Sequence, residues 1–263
     1  MGTILDRIIE QKKQELPILR ETRPTLPSFL NDRKSFIKKL GNAEEISVIA
    51  EFKRASPSKG DINQSLNPTK QAQQYECAGA TAISVLTDQT FFKGSYADLM
   101  AVREAVGLPI LCKDFVIDPV QIDHAAKSGA DIILLIVAAL EEGTLVELYQ
   151  YATNIGLEVL VEVHNLDELQ TALKLGAKLI GVNNRDLKTF NVSLDVTENL
   201  AALVKESGAF LISESGIHTT EDVDRVRQAG ANGILVGEAL MLSSDVKQSL
   251  GNLRLPLVGS VNK

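Results

Sequence analysis

The chain of 263 residues has no tryptophan and only two cysteines, and none of its apolar runs is long enough to cross a membrane. Cys77 and Cys112 lie in apolar surroundings without CxxC or Cys/His spacing, so neither a disulfide framework nor a structural zinc site is expected. The longest apolar run, residues 132–140, is well short of the roughly 20 residues of a membrane helix. We therefore expect a cytoplasmic protein with no metal and no membrane partner.

Positive charge is also scarce. Lysine and arginine number 27 against 34 aspartate and glutamate residues, which leaves a formal net charge of −7. Such a chain has no basic face for a nucleic-acid backbone, so nucleic acid is not expected as a partner. The N-terminal residues place charged side chains at helical spacing around Ile4, Leu5, Ile8 and Ile9, which predicts an amphipathic helix instead of a secretory signal.

One short phrase recurs along the chain. It reads "CAGATAISVL", "KSGADIILLI", "KLGAKLIGVN" and "QAGANGILVG", with a helical pattern before each glycine and an apolar run after it. Glycine favours the left-handed position that ends a helix, and a short, uniformly apolar run is typical of a strand that is covered on both faces. The phrase therefore predicts a helix-to-strand joint at Gly79, Gly129, Gly176 and Gly230.

Less regular joints complete a set of eight predicted strands, spaced about 20 to 35 residues apart with helical patterns between them. Eight such units favour a closed (β/α)₈ (TIM) barrel over an open, doubly wound α/β sheet, because no glycine-rich dinucleotide motif follows the first strand. We expect a single domain, 1–263, in which an N-terminal helical extension (1–45) caps one end of the barrel (46–263). The predicted strands are 47–53, 82–86, 109–114, 132–137, 158–164, 179–183, 210–214 and 233–237.

Charged residues follow apolar residues at the ends of several predicted strands. Alternate residues of a strand share a face, so Ile49, Glu51 and Lys53 would face the barrel interior while Phe52 faces the helices. Reacting groups in such barrels lie at the carboxyl ends of the strands. One Glu–Lys pair could be a structural ion pair, but five ionisable groups at one depth favour an active site. These groups are Glu51, Lys53, Lys113, Glu162 and Glu214.

Two glycines and a histidine extend this prediction. Gly216 and Gly237 follow the last two predicted strands, where barrels of this type bind phosphate through backbone N–H groups. His164 lies two residues after Glu162 on the same predicted strand, so both side chains face inward and we expect His164 to support Glu162. Of the other two histidines, His124 is expected on the surface and His218 in a loop.

These motifs together resemble the indole-3-glycerol phosphate synthase family. The similarity covers almost the whole chain, and its most specific stretches are "KRASPSKG", "KDF" and "NNRDL", in that order and at that spacing. The resemblance implies a (β/α)₈ barrel whose N-terminal helical extension lies over the mouth. It also implies a lyase, a decarboxylase of tryptophan biosynthesis, which is a branch of aromatic amino-acid biosynthesis.

The implied reaction converts 1-(2-carboxyphenylamino)-1-deoxyribulose 5-phosphate to indole-3-glycerol phosphate, with loss of carbon dioxide and water and with no metal or redox cofactor. Lys113 matches the acid for ring closure. Lys53, Glu51 and Glu162 match the residues that share the later proton transfers. The other positions match groups that orient the substrate and hold the lysines (Asn183, Glu214, Ser215), face anions (Ser56, Arg185), cradle the phosphate through backbone (Gly216, Gly237, Glu238) or form apolar walls for the anthranilate ring (Phe92, Phe115).

The chain departs from the resemblance at two places. Without tryptophan, any aromatic contact from the N-terminal extension must come from elsewhere or be absent, and Leu242 replaces an arginine that is common in relatives. Two other functions stay open: a lysine Schiff-base aldolase acting on a sugar phosphate, and a catalytically silent barrel that serves as a binding module. We expect a monomer, with a weak homodimer as the alternative.

Overall fold

The computed structural model describes residues 2–26, 33–57, 60–61 and 66–258. Its centre is a closed barrel of eight parallel strands, in which β1 pairs with β10 (Ser47 opposite Gly233) and so joins the first strand to the last. The predicted (β/α)₈ barrel is confirmed, and the alternative of an open, doubly wound α/β sheet is wrong. The barrel strands are β1 Ser47–Phe52, β4 Ala82–Leu86, β5 Ile110–Lys113, β6 Ile132–Ile136, β7 Glu158–Val163, β8 Leu179–Asn183, β9 Phe210–Glu214 and β10 Gly233–Val236; β2 Ala55–Ser56 and β3 Gly60–Asp61 form a short antiparallel pair outside it.

Helices alternate with the strands and cover the barrel's outer face. No helix in the described parts of the chain is both long and apolar enough to span a bilayer. The helices are α1 Ile4–Glu21, α2 Phe36–Gly41, α3 Pro68–Cys77, α4 Tyr96–Ala105, α5 Pro119–Lys127, α6 Glu142–Asn154, α7 Leu166–Leu175, α8 Asp195–Glu206, α9 Thr220–Ala229, α10 Glu238–Met241 and α11 Val246–Asn252.

The joints form as the recurring phrase predicts. Gly79, Gly129, Gly176 and Gly230 all have positive φ angles, between 77° and 117°, directly after a helix and before a strand. An L-residue with a Cβ atom pays a steric penalty in this conformation, and glycine does not. The phrase therefore sets where each helix ends and lets the next strand begin within a few residues.

Two apolar layers lie on opposite faces of the barrel wall. Val48, Ala50 and Phe52 of β1 pack against the helices, whereas Ile49 belongs to the interior layer with Leu111, Leu160 and Ile212 of other strands. The parity predicted for β1 is therefore confirmed. It directs the next inward residues, Glu51 among them, to the end of the barrel at the carboxyl ends of the strands, which we call the mouth.

The N-terminal extension covers both ends of the barrel, so the prediction that it caps one end is incomplete. α1 lies over the mouth, where Ile4, Leu5 and Ile8 line a pocket. α2 closes the opposite end, because its Phe36 and Leu40 belong to the interior apolar layer. The sequence between them, "RPTLPSF" at residues 23–29, predicts a proline-rich bend, and it falls partly outside the described residues.

α1 is longer than the sequence pattern suggests. The pattern predicts an end near Leu16, before Pro17, yet the helix continues through this proline to Glu21. Contacts with α5 compensate for the lost backbone donor: Arg20 Nη2 lies 2.6 Å from Asp118 Oδ2, and the Leu19 carbonyl lies 3.0 Å from His124 Nε2. The prediction that His124 lies on the surface is wrong for the same reason, since it is half-buried beneath this helix and stacks on Tyr96.

Candidate active site

One pocket at the mouth is lined by all fourteen residues that the sequence marks as site residues. Their roles stay predictions, but the fold brings them together from five barrel strands and from segments that follow barrel strands. The set comprises Glu51, Lys53, Ser56, Phe92, Lys113, Phe115, Glu162, Asn183, Arg185, Glu214, Ser215, Gly216, Gly237 and Glu238.

The end of β1 supplies a close ion pair. Lys53 Nζ lies 2.7 Å from Glu51 Oε1, and the Glu51 side chain is almost completely buried. Burial acts to raise the pKa of Glu51, but the Lys53 and Lys113 ammonium groups outweigh it and hold the pKa below its ordinary value. The next residue, Arg54, turns away from this pair and forms a bidentate ion pair with Asp98, which fastens the loop after β1.

Lys113, the last residue of β5, lies between two buried carboxylates. Its Nζ is 3.1 Å from Glu214 Oε2 and 3.4 Å from Glu162 Oε2. Burial acts to lower the pKa of Lys113, but Glu214, Glu162 and Glu51 outweigh it and raise the pKa well above that of a free lysine. Lys113 is therefore an ammonium group at neutral pH, able to donate a proton and unable to act as a free amine.

Glu214 is the carboxylate under the greatest electrostatic strain in this cluster. Its Oε1 atom is buried and has no hydrogen-bond partner among the described residues. Burial, assisted by the Glu162 charge, raises the pKa of Glu214 even though Lys113 opposes this. Gly181, an inward position of β8, leaves the space that this oxygen occupies.

Glu162 of β7 is contacted from three sides. Lys113 contacts its Oε2 atom, while Asn183 Nδ2 donates to its Oε1 atom at 3.1 Å and His164 Nε2 lies 3.3 Å from the same oxygen. Burial acts to raise the pKa of Glu162, but Lys113 and His164 outweigh it and lower the pKa. Glu162 is therefore ionised at neutral pH and can accept a proton.

The opposite side of the pocket is built from backbone. Ser215 and Gly216, in the loop after β9, both have left-handed backbone angles, with φ of 65° and 81°. The buried Asn184 fixes this loop, because its Nδ2 atom donates to the Ser215 carbonyl oxygen at 3.0 Å and to the Ser213 hydroxyl oxygen at 2.9 Å. Gly237 lies beside them, directly before α10.

Apolar side chains form the outer wall of the pocket. Phe92 and Phe115 pack together with ring centroids 5.9 Å apart. Among the described residues of the extension, the side chains that line the pocket are aliphatic: Ile4, Leu5 and Ile8. Leu187 and Phe190, in the loop after β8, complete this wall.

A buried lysine joins α1 to the mouth. Lys12 is 3% exposed, and its Nζ lies 2.7 Å from Asp114 Oδ1 and 2.9 Å from Asp88 Oδ2. Both carboxylates also accept from backbone N–H groups of the loops that carry the two aromatic walls. Asp114 accepts from Phe115 through the same Oδ1 atom that contacts Lys12, and Asp88 accepts from Phe91 and Phe92 through its other oxygen, Oδ1. Lys12 therefore holds the extension and both aromatic loops in one cluster.

Sequence reasoning missed Lys12, Asp88, Asp114 and the α1 wall residues. The run "EQKKQE" looks like solvated helix surface. However, Leu5, Ile8 and Lys12 are spaced by three and four residues, so they share one helical face, and all three are buried. That spacing was the available signal. The partners of Lys12 are determined by tertiary packing, and the sequence around Asp88 and Asp114 does not indicate this contact.

No metal site accompanies the cluster in the part of the chain that the structure describes, where no group of three or more His, Cys, Asp or Glu side chains is arranged to hold an ion. The two cysteines are free: Cys77 is exposed, and Cys112 is buried beside Thr87.

The fold and the lysine–carboxylate cluster at its mouth define an enzyme of the (β/α)₈-barrel class. The family model described as "Indole-3-glycerol phosphate synthase" matches residues 5–253 of this chain. The chain belongs to the indole-3-glycerol phosphate synthase family, whose members are carboxy-lyases of tryptophan biosynthesis.

Individual relatives agree with the family model. The chain is 54% identical over 246 residues to an indole-3-glycerol phosphate synthase of Bacillus thuringiensis subsp. konkukian (strain 97-27), covering 94% of this chain and 96% of the relative. An indole-3-glycerol phosphate synthase of Bacillus cereus (strain ATCC 10987 / NRS 248) is 53% identical over 247 residues, with the same coverage of both chains.

Solved structures of more distant proteins share the fold alone. A thiamine phosphate pyrophosphorylase from Pyrococcus furiosus superposes with a TM-score of 0.60 at 20% identity, covering 83% of this chain and 96% of that one. An N-acetylmannosamine-6-phosphate 2-epimerase from Clostridium perfringens gives a TM-score of 0.62 at 18% identity, covering 81% and 93%.

Proposed function

We propose that this chain carries out the reaction of its family in the pocket at the mouth, with Lys113 as the acid for ring closure. The substrate is 1-(2-carboxyphenylamino)-1-deoxyribulose 5-phosphate, and the products are indole-3-glycerol phosphate, carbon dioxide and water. One observation carries the assignment of roles: Glu162 and Glu214 hold the Lys113 ammonium group within 3.4 Å at the pocket floor.

Ring closure needs a proton on the ketose oxygen. The aromatic carbon that bears the carboxylate attacks the ketose carbonyl carbon, the C=O π electrons move to oxygen, and Lys113 donates a proton to that oxygen. A buried ammonium group directed into the pocket stabilises the developing negative charge, because few water molecules compete for it. Loss of carbon dioxide then leaves its bonding electrons in the ring system.

Dehydration needs an acid and a base in the same pocket. The hydroxyl group formed from the ketose oxygen leaves as water after it takes a proton, and the remaining proton on the new ring passes to a carboxylate. We assign these steps to Lys53 as the acid and to Glu51 or Glu162 as the base. Both carboxylates have lowered pKa values and are ionised at neutral pH, which suits a proton acceptor.

Binding groups surround this centre in complementary positions. We assign the phosphate to the backbone N–H groups near Gly216, Gly237 and Glu238, and the anthranilate ring to the wall of Phe92 and Phe115. The left-handed backbone at Ser215 and Gly216 supports the first assignment, because turns of this kind can bring successive N–H groups together around an anion. Ser56 and Arg185 are assigned to the substrate's anionic groups, and Asn183 and Ser215 to its orientation.

The charge state of Lys113 argues against the aldolase alternative. A Schiff base forms only from a neutral amine, so an imine-forming lysine needs a lowered pKa. Three carboxylates raise the pKa of Lys113 instead. The silent-barrel alternative predicts loss of at least one charged group, and all five are present at the mouth.

The test combines turnover with chemical trapping. Purified protein should convert the carboxyphenylamino-deoxyribulose phosphate to a product with indole absorbance. Lys113→Ala should reduce this rate by about 10² to 10⁴-fold and leave the protein folded, because Glu214 can take up a proton when its cationic partner is lost. Lys127→Ala, at an exposed position of α5, is the matched control and should be fully active.

Two outcomes would contradict these assignments. A Lys113→Ala rate within about tenfold of wild type would remove Lys113 as the acid. Borohydride reduction in the presence of substrate should leave Lys113 unmodified, and a covalent adduct there would restore the aldolase alternative.

We also propose a cytoplasmic monomer built as a single domain, with 1–45 as the extension and 46–263 as the barrel. The free thiols of Cys77 and Cys112 support the location, because thiols persist in reducing compartments. The contacts of α1 and α2 with both barrel ends support the single domain. Sedimentation equilibrium tests the monomer, and a concentration-dependent rise in mass would indicate the weak homodimer.

A further inference from the structure

A buried histidine links the mouth to the start of a surface helix. His164 directly follows β7, and its side chain is 9% exposed. Its Nδ1 atom lies 2.9 Å from Glu168 Oε2 in α7, and its Nε2 atom lies 3.3 Å from Glu162 Oε1 in the pocket. The imidazole ring therefore lies between two carboxylates, one catalytic in the proposed function and one outside the pocket.

The two contacts restrict the protonation state of the ring. A neutral imidazole carries one N–H, so one of its nitrogens would direct a lone pair at an anionic oxygen. Within the described chain Nε2 makes no hydrogen bond, so its 3.3 Å approach to Glu162 is an ion contact, and only the imidazolium form places an N–H beside both anionic groups. Glu162 from β7 and Glu168 from α7 are the charged groups that contact the ring within the described chain, while Lys113 of β5 and Asn183 of β8 contact Glu162 from its other sides.

Glu168 is itself held in place by the start of α7. Its Oε2 atom accepts from the His164 backbone N–H at 2.8 Å, and its Oε1 atom accepts from Asn165 Nδ2 at 2.6 Å. Asn165 also caps the helix, because its Oδ1 atom accepts from the Glu168 backbone N–H at 3.0 Å. The outer carboxylate therefore cannot move away from the ring without losing its hydrogen bonds from the His164 backbone N–H and the Asn165 side chain.

We propose that His164 is a permanent imidazolium at neutral pH and positions Glu162 for proton transfer, with Glu168 as the residue that keeps it charged. The inference rests on the proposed function, because it takes Glu162 as a catalytic group. With His164 charged, three cations (Lys53, Lys113, His164) balance three carboxylates (Glu51, Glu162, Glu214) within this cluster. A neutral His164 would leave Glu162 less firmly ionised, with Lys113 and Asn183 as its remaining contacts.

The direction of the pKa shift agrees with this geometry. Burial acts to lower the pKa of His164, but Glu162 and Glu168 outweigh it and raise the pKa to about 10. An unfolded histidine has a pKa of about 6.5. The stabilisation from the protonated ring is therefore complete below about pH 6.5 and is lost as the pH rises toward about 10.

The experiment removes the outer charge and leaves the pocket intact. Glu168→Gln keeps the size of the side chain and lies outside the pocket lining. The readout is a proton–nitrogen NMR titration of the imidazole groups between pH 6 and 9, which is tractable because the chain has only three histidines and His164→Asn assigns the signal. The matched control is Asp167→Asn, which removes an exposed charge from the same helical turn.

In the wild type and in Asp167→Asn, the His164 signal should stay in the imidazolium form across this range. In Glu168→Gln its titration midpoint should fall into this range, below about pH 9, since one of two paired charges is gone. Between pH 6.5 and 9 the kcat of Glu168→Gln should then fall with the new midpoint, and the fall should be about tenfold larger than that of the wild type over the same range. KM should change less than about twofold.

A wild-type His164 that titrates below about pH 7.5 would overturn the proposal, as would an unchanged midpoint in Glu168→Gln. The titration does not require turnover. A wild-type protein that yields no indole product would therefore contradict the proposed function, while the spectra would still decide whether the imidazolium bridge exists.

Discussion

At the scale of single residues, two glycines leave the room that two buried carboxylates occupy. A Cβ atom at Gly181 would lie 2.1 Å from Glu214 Oε1, and one at Gly237 would lie 2.6 Å from Glu51 Oε1 and 3.2 Å from Lys53 Nζ. The two distances to carboxylate oxygens are far below van der Waals contact. Gly237 therefore has a second use besides exposing its backbone to phosphate: it makes the Glu51–Lys53 pair possible.

Gly181→Ala should lower the activity of the protein that remains folded. The new methyl group must displace the Glu214 carboxylate from Lys113, so kcat should fall at least about tenfold, a loss of about 1.4 kcal/mol or more of transition-state stabilisation. Steady-state rates and thermal melts on the same samples measure both effects. Gly143→Ala in α6 is the control, because a Cβ atom there meets nothing within 4 Å; its activity should match wild type, and its melting temperature should be no lower, since alanine favours a helix over glycine. Full activity in Gly181→Ala would mean that the Glu214–Lys113 contact is dispensable.

At the scale of elements, α1 is part of the site as well as its cover. It supplies three wall residues to the pocket and, through Lys12, the cation between Asp88 and Asp114. A buried cation between two carboxylates stabilises the fold only while all three groups remain, because removal of one leaves uncompensated buried charge. The position of the helix and the position of the aromatic walls are therefore coupled.

Lys12→Met should raise KM and lower stability together. Asp88 and Asp114 would lose their shared cation, the loops that carry Phe92 and Phe115 would relax, and the ring of the substrate would bind about tenfold more weakly. The free energy of unfolding should fall by about 3 kcal/mol. Lys13→Met, one position along the same helix and 62% exposed, should leave both quantities unchanged. Equal behaviour of the two variants would show that the Lys12 cluster does not support the site.

The pH dependence of the Lys12 contribution gives a further check. Burial acts to lower the pKa of Lys12, but Asp114 and Asp88 outweigh it and raise the pKa above the unfolded value of about 10.4. A group with a raised folded pKa contributes fully at every pH below its unfolded pKa. The stability difference between wild type and Lys12→Met should therefore stay constant from pH 6 to pH 9. A difference that shrinks within this range would contradict the ion-pair account.

The elements that sequence reasoning could predict are those fixed by local patterns. The recurring glycine phrase placed four of the eight barrel strands, and less regular joints with an apolar first run placed the other four. The alternation in β1 separated Glu51 from Phe52 correctly. What escaped prediction depends on contacts between distant segments. Pro17 marks a helix end by local rules, but docking on α5 carries the helix past it, and Lys12 looks solvated until its two carboxylates are known. The pairing of His164 with Glu162 was within reach, because both positions face inward, whereas Glu168 was not.

At the scale of the whole molecule, the two ends of the barrel differ in kind. The mouth holds buried groups of both charges. The opposite end is closed by α2, whose apolar side chains pack into the interior layer. Barrels at 18% and 20% identity share the same architecture, so the fold alone does not select a reaction. The chemistry resides at the mouth, and we expect the closed end to contribute to stability alone.

Two glutamates on one strand test this division. Glu158 and Glu162 are four residues apart on β7, so both face inward, but Glu158 lies at the closed end and accepts from Ser35 Oγ at 2.5 Å and from the backbone N–H groups of Phe36 and Ile37 at 2.9 and 3.1 Å. Glu158→Ala removes the acceptor for the start of α2 and should lower the free energy of unfolding by about 1 to 3 kcal/mol, with kcat and KM unchanged. Glu162→Ala makes the identical substitution at the mouth and should reduce kcat by about 10² to 10⁴-fold.

Urea unfolding and single-turnover rates on the two variants provide the measurement. The ratio of the two effects matters more than either value, because both variants lose the same atoms from the same strand. Burial raises the pKa of Glu158, although Ser35 and the two backbone N–H groups oppose it, so the wild-type protein should gain stability relative to Glu158→Ala as the pH falls through the raised folded value. Loss of turnover in Glu158→Ala at full stability would mean that α2 transmits its position to the mouth, and the closed end would then have to be counted as part of the active site.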